Sequence, residues 1–159
     1  MNLVGIGYDV HRFAENRPLV LGGVEIPHSH GLDGHSDADV LAHAIADALL
    51  GAIGERDIGQ HFPNSDESIR GISSLEILRK VAGLLASRKA RLLNIDATLI
   101  AEAPKINPHV ALMRERIAEA VRLPAARVGV KATTNEQMGF IGRGEGIAAL
   151  AVASVEVAE

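Results

Sequence analysis

The stretch Val4-Gly5-Ile6-Gly7-Tyr8-Asp9-Val10-His11 alternates between apolar residues and small or polar ones. Side chains two apart on a strand leave the same face. Val4, Ile6, Tyr8 and Val10 therefore share one side, and Gly5, Gly7, Asp9 and His11 share the other. Working outward, residues 15–18 read as a turn and 19–26 as a second strand. Gly22-Gly23 interrupts that strand, as a bulge or as a tight turn. Residues 27–35 are polar and Gly-rich, a loop.

Ser36 is predicted to cap a helix, with Asp39 three residues on giving the capping-box spacing. Leu41, Ala44, Ile45, Ala48 and Leu49 supply its apolar face, and Gly51 and Gly54 mark its end. Residues 55–71 form a loop long enough to be functional or mobile. Ser73 and Glu76 repeat the capping spacing before a second helix carrying Leu75, Leu78, Ala82 and Leu85. A buried strand over 93–101, a helix over 110–121 and a strand over 128–132 follow. A Gly-rich loop over 133–146 then leads to an Ala-rich final strand over 147–157. Strands and helices mix without strict alternation, which predicts α+β: one domain over residues 1–159, a mixed β-sheet with helices on one face.

Composition narrows the classes. The chain has 159 residues, 47% hydrophobic and 23% charged, which fits one globular domain rather than a disordered chain. Aromatics are only 3%, so the core must be Leu, Ile, Val and Ala. The net charge of -4 argues against nucleic acid as a partner, since phosphates need a basic face. Cysteine is absent, which excludes disulfides, thiolate metal sites and a cysteine nucleophile. No apolar run approaches the roughly 20 residues that span a bilayer, and no secretory signal is evident at the start. The expectation is a soluble cytoplasmic protein without a membrane partner.

Several constellations bear chemistry. Asp9 and His11 leave one strand face, and His43 lies on the following helix. One carboxylate and two imidazoles form a plausible three-ligand zinc set with a vacant position, although an Asp-x-His pair also occurs on ordinary surface strands. Asp47, one turn beyond His43, is either its hydrogen-bond partner or a solvated helix residue. The run Gly34-His35-Ser36-Asp37-Ala38-Asp39 is a helix start, and a helix start attracts anions; His35 and Ser36 add side-chain donors. In the loop from Lys131 to Gly146, the glycines allow close backbone approach. There Thr133 and Thr134 bring hydroxyls, Arg143 can clamp phosphate and Glu136 can hold magnesium; a plain hairpin connection is the alternative. Lys105 can meet phosphate, and Asp57 can accept from ribose hydroxyls beside Gly59.

In this order, the motifs GYDVHRF (7–13), GGVEIP (22–27), GHSDADVLAHAIADALLGA (34–52), DIGQHFP (57–63), NIDATLIAEAPKINPH (94–109), VKATTNE (130–136) and GFIGRGEGIA (139–148) resemble the 2-C-methyl-D-erythritol 2,4-cyclodiphosphate synthases. The resemblance spans nearly the whole chain. It implies a homotrimer with active sites between subunits, converting 4-diphosphocytidyl-2-C-methyl-D-erythritol 2-phosphate to the 2,4-cyclodiphosphate and CMP in the non-mevalonate isoprenoid route. It implies zinc on Asp9, His11 and His43, with Val10 between them in contact with substrate. His35 and Ser36 would touch phosphate, and His35 and Thr134 would be catalytic.

The same resemblance puts a second cation, Mg2+ or Mn2+, on Glu136 beside Asn135. Asp57, Ile58 and Gly59 would hold the ribose. Phe62, Pro63, Asn64, Ser65 and Asp66 would form a mobile wall over the sugar. Ala101, Glu102, Ala103, Pro104, Lys105, Ile106 and Asn107, with Thr133, would surround the cytidine. Phe140 and Arg143 resemble residues near the trimer's central cavity. Asn64 and Asn107 depart from the commoner family residues, an acid and an apolar residue respectively, away from the metal and phosphate positions.

Such a reaction needs no protein nucleophile, because the substrate's own phosphate attacks; the protein positions groups and neutralises charge. Two alternatives share the donor set: a zinc-dependent nucleotide-diphosphate hydrolase, and a non-enzymatic metal- and nucleotide-binding module.

Overall fold

A computed structural model describes residues 1–158; the one-domain expectation runs to Glu159, which lies outside the described residues. In chain order the strands are β1 (Asn2–Ala14), β2 (Leu19–Leu21), β3 (Val24–Ile26), β4 (Gly31–Leu32), β5 (Ala90–Ile100), β6 (Val128–Thr133) and β7 (Gly146–Val157). The helices are α1 (Val40–Ala52), α2 (Ile58–His61), α3 (Ser74–Ser87), α4 (Val110–Val121) and α5 (Gly139–Gly142). Five strands form one sheet in the order β4-β1-β7-β5-β6, and β2 and β3 form a separate hairpin. β7 is antiparallel to both β1 and β5, whereas β6 is parallel to β5, so the sheet is mixed as expected.

The glycines of β1 set how the layers meet. Gly5 pairs with Ala153 and Gly7 with Ala151, and those alanines pair on with Ile95 and Ala97 of β5. The small Gly and Ala residues of β1 and β7 let α1 lie on the sheet at backbone distance. A Cβ at Gly7 would stand 1.9 Å from the Ala44 carbonyl oxygen, and one at Gly5 2.0 Å from that of Ala48. The space beside these glycines is therefore filled by a helix. α3 and α4 complete the same layer, and Leu41, Ile45, Leu49, Leu78, Met113 and Ile117 fill the core with Ile95 and Leu99. The opposite face of β1 and β7 is bare: Val4 and Ile6 are each 66% exposed and Tyr8 52%, with Leu150 and Val152 beside them.

Helix starts differ from the sequence expectation. Asp39, not Ser36, caps α1: its carboxylate accepts from the Ala42 N–H at 3.0 Å, and from Gly22 and Gly23 at 2.8 and 2.7 Å. Gly22 and Gly23, with φ of 59° and 73°, make the tight turn of the β2–β3 hairpin, a conformation that favours glycine. One fully buried carboxylate thus fastens that hairpin to α1. Burial and the nearby Asp37 push the Asp39 carboxyl up to about 6. Ser73 makes no capping bond on α3 either; Asp37 supplies that cap from outside the helix, accepting from the Ser74 N–H at 2.9 Å. The spacing rule pointed to hydroxyls, but carboxylates make the bonds: the local Asp39 on α1, and on α3 the chain-distant Asp37.

Candidate functional site

Asp9 and His11 project from β1 on the α1 side of the sheet, and the tight β1–α1 contact brings His43 against them. Asp9 Oδ2 lies 2.9 Å from His11 Nε2 and 3.0 Å from His43 Nδ1; the two nitrogens are 3.2 Å apart. Three donors about 2.0–2.1 Å from one tetrahedral ion would be separated by about 3.3 Å, so the spacing fits a divalent metal with zinc-type ligands. Among the described residues this is the one cluster of three acid or imidazole groups close enough to share an ion.

Hydrogen bonding already sets one tautomer. His11 Nδ1 donates to the Asp33 carbonyl at 2.5 Å, which leaves the Nε2 lone pair facing Asp9 and His43. Burial alone would raise the Asp9 carboxyl, but with both imidazoles protonated their hydrogen bonds and charge outweigh it and hold it well below the ordinary carboxylate range; the two lone pairs face Asp9 in the neutral rings that a metal requires. Burial works to lower His11, yet Asp9 and the Asp33 carbonyl overcome it and the imidazole is raised.

A cavity of about 230 Å³ opens beside these three groups. Gly34, His35, Ser36, Ile58, Gly59, Phe62 and Asn64 also line it. Arg17 fixes the segment carrying His35 and Ser36 by donating to the carbonyls of Gly34 and Ser36, each at 2.6 Å. Nothing in the local sequence singled out Arg17. Asp47 is neither a partner of His43 nor merely solvated: it is half-buried, and its carboxylate accepts from the Ile58 N–H at 2.8 Å. It thereby ties α2 to α1, and burial raises its carboxyl. The expected phosphate site at the start of α1 needs correction as well. The helix begins at Val40, and the Asp39 carboxylate already occupies its first turn, so Ser36 stands before the helix and offers its side chain only.

The segment after Asp57 is less open than expected, holding the short helix α2 and a single turn at Glu67–Ile69. Asp57, Pro63, Ser65 and Asp66 are exposed on it. Asp66 bonds Ser68, which lowers its carboxyl, and its carbonyl oxygen lies 3.4 Å from His35 Nε2.

The remaining candidates gather elsewhere. Ala101, Glu102, Pro104, Lys105, Ile106, Asn107, Thr133 and Thr134 line a second cavity of about 550 Å³ at the ends of β5 and β6. Glu102 holds the following loop by accepting from the Asn135 N–H at 2.7 Å. Thr134 Oγ1 lies 3.4 Å from the Glu136 carboxylate. The two cavities share no residue. Strands are about 4.8 Å apart, so β1 and β6, separated by β7 and β5, stand about 14 Å from each other. His35 and Thr134, expected to act together, therefore belong to different cavities of this chain. Arg143, expected to clamp phosphate, is already paired with Glu145 at 2.7 Å, and Lys131 is paired with Asp96. Phe140 lies apart from both cavities, beside Val10 and Phe13.

Fold and donor set together define a small α+β protein with a metal-type centre at the end of a mixed sheet. The model of the YgbB family matches residues 2–156. A 2-C-methyl-D-erythritol 2,4-cyclodiphosphate synthase of Symbiobacterium thermophilum is 60% identical over 153 residues, covering 96% of this chain and 98% of that one. The bifunctional IspDF structure from Campylobacter jejuni superposes with a TM-score of 0.95 at 42% identity, over 100% of this chain and 43% of that one. The IspF–CDP complex from Plasmodium falciparum gives 0.86 at 30% identity, over 99% and 97%. The chain belongs to the YgbB family, that of the 2-C-methyl-D-erythritol 2,4-cyclodiphosphate synthases.

Proposed function

We propose that this chain converts 4-diphosphocytidyl-2-C-methyl-D-erythritol 2-phosphate into 2-C-methyl-D-erythritol 2,4-cyclodiphosphate and CMP. It is a phosphorus–oxygen lyase of the non-mevalonate route to isoprenoid precursors, with residues 1–159 acting as one unit. The observation that carries this is the convergence of Asp9, His11 and His43 beside a cavity also lined by His35 and Ser36. Family membership supports it, as does the relative whose structure holds CDP.

Asp9, His11 and His43 would hold zinc. When bound, that ion polarises the substrate phosphates and neutralises their mutual repulsion. An oxygen of the sugar 2-phosphate attacks the distal phosphorus of the diphosphate, a phosphorus–oxygen bond forms, and the bond to the CMP oxygen breaks. His35 and Ser36 donate to phosphate oxygens, and the Arg17 clamp keeps them in place before substrate arrives. Asp57 and Gly59 hold the ribose, with Ile58 between them. Phe62, Pro63, Asn64, Ser65 and Asp66 cover the sugar. The 101–107 segment with Thr133 surrounds the cytidine, and Lys105 and Thr134 face its phosphates. Glu136 would hold Mg2+ or Mn2+ whose other ligands are substrate phosphates, the usual environment of that ion. Phe140 and Arg143 lie toward the symmetry axis.

His35 and Thr134, expected to act on the same phosphates, lie in separate cavities of one chain. We infer a homotrimer in which the 101–107 and 133–136 segments of one subunit complete the Asp9–His11–His43 cavity of the next. The bare face of Val4, Ile6, Tyr8, Leu150 and Val152 supports this, since covering each side chain is worth on the order of 1 kcal/mol. The site of action is the cytoplasm; no described helix is long and apolar enough to cross a membrane.

Incubating the purified protein with the diphosphocytidyl substrate and Mg2+, and following phosphorus NMR, tests the reaction. A cyclic diphosphate with equimolar CMP is expected. A linear bisphosphate would make it a hydrolase, and CDP binding without turnover would make it a binding module.

A further inference from the structure

His11 has its second nitrogen fixed by a backbone carbonyl, but His43 has no such partner. Its Nε2 instead meets two hydroxyls: Ser74 Oγ at 2.9 Å and Ser36 Oγ at 3.1 Å. Ser74, the first residue of α3, is fully buried and 31 residues away in sequence. Its hydroxyl also contacts the Asp37 carboxylate closely, while its backbone N–H donates to the other Asp37 oxygen at 2.9 Å.

The protons can be assigned along this chain of contacts. An ionised carboxylate only accepts, so the single Ser74 hydroxyl proton points at Asp37. The Ser74 oxygen then offers a lone pair to His43 Nε2, which must carry the ring proton. His43 Nδ1 is left with a free lone pair, and that lone pair faces Asp9 Oδ2 and His11 Nε2. The same assignment spares Ser36: its oxygen accepts from the Ala38 N–H at 3.1 Å, and its own proton stays available to a phosphate in the cavity.

We propose that Ser74 and Asp37 are positioning residues that fix the tautomer and orientation of His43 and so set the metal affinity of the Asp9–His11–His43 centre. This rests on that centre holding a divalent cation. Neither residue lines the cavity. Partners of this kind on a ligating histidine typically change metal affinity 10- to 100-fold.

The test is Zn2+ titration of metal-free full-length protein against a chromogenic chelator, for wild type, Ser74→Ala, Asp37→Asn and Ser73→Ala, with melting temperatures of the metal-free forms. Asp37→Asn is the sharper variant because it is nearly isosteric. The Ser74 N–H retains the amide oxygen, so the amide NH2 turns to the Ser74 oxygen and drives the hydroxyl proton toward His43 Nε2. That favours the Nδ1–H tautomer, which opposes metal binding. Both Ser74→Ala and Asp37→Asn are expected to bind Zn2+ about 10- to 100-fold more weakly, with Ser73→Ala unchanged. Unchanged affinity in Ser74→Ala or Asp37→Asn overturns the proposal, even if their melting temperatures fall, since that marks a purely structural cap. A wild type that binds no Zn2+ overturns the metal centre itself, and the two failures are thereby told apart. If Ser74→Ala does not fold, Asp37→Asn decides alone. If both fail to fold, loss of the slowly exchanging His43 Nε2–H in an Asp37→Glu variant replaces them; retention of the Nδ1–H form in wild-type metal-free protein contradicts the assignment.

Discussion

The cavity around Asp9, His11 and His43 and the cavity at the ends of β5 and β6 lie at the same end of one sheet, toward its opposite edges, but they are held in different ways. In the first, the reactive side chains sit on a long strand and a buried helix. His43 is 7% exposed, and Arg17, Asp33, Ser36 and Ser74 bond the segment or the rings. In the second, Lys105, Asn107, Thr133 and Thr134 are exposed at the ends of strands and on loops, with Glu102 as the main tie to the neighbouring loop. A metal centre needs donors fixed to a fraction of an ångström before its ligand arrives, whereas a nucleotide pocket can be finished by a neighbour and by the nucleotide itself. The contrast fits the proposal that one subunit carries a nearly complete centre and a pocket that a neighbour completes.

The comparison is most easily broken at the metal end. His43→Ala or His11→Ala is expected to lose Zn2+ and to lower the cyclisation rate by at least about 10³-fold, because a lost cation removes several kcal/mol of charge stabilisation. Retained turnover in metal-free His43→Ala protein would contradict this. At the pocket end, Glu136→Ala is expected to cost about 10²-fold, partly recovered by excess Mg2+, while Zn2+ content stays at the wild-type level. Loss of Zn2+ in that variant would show that the two regions are not separate.

Between them lies the packing that builds the first region. Gly7→Ala places a Cβ against the Ala44 carbonyl, so α1 must move away from β1. Chemical denaturation is expected to show a loss of about 1–3 kcal/mol together with weaker Zn2+ binding, since the same contact carries His43 to Asp9. A stable variant with unchanged metal affinity would sever packing from site.

The smallest effect on the reaction concerns Asp39, where the readout is stability. Its folded-state pKa is raised, so its contribution is fully present below about pH 4, the ordinary carboxylate range, and is lost as pH rises through about 6. Relative to Asp39→Asn, wild type is expected to lose about 3 kcal/mol at most across that window. A flat difference would mean that the buried carboxyl stays ionised throughout.

Much of this was legible in the sequence where the signal is local. The period of residues 110–121 gave α4 to the residue, and the alternation from Val4 placed Asp9 and His11 on one strand face. The donor triad was legible as one option from residue type, and the family motifs around Asp9, His11 and His43 singled it out. What local patterns missed depends on contacts distant in the chain. Gly5 and Gly7 fall on the face of Asp9 and His11, yet what that face meets is α1, which only the folded sheet brings there. Ser73 satisfied a spacing rule, yet Asp37, 37 residues before Ser74, makes the bond; at α1 the misreading was a local one, since Asp39 takes the cap in place of Ser36. Arg17 and Ser74 carry no motif and matter only through the groups they reach.

The central claim is that a working site joins the metal centre of one subunit to the nucleotide pocket of another. Mixing His43→Ala with Glu136→Ala protein under conditions that exchange subunits tests it most directly. Random trimers should regain about a quarter of wild-type cyclisation activity, because one site in four pairs an intact metal centre with an intact pocket across a cyclic interface. Activity no greater than the sum of the two separate variants, with subunit exchange demonstrated, would contradict it.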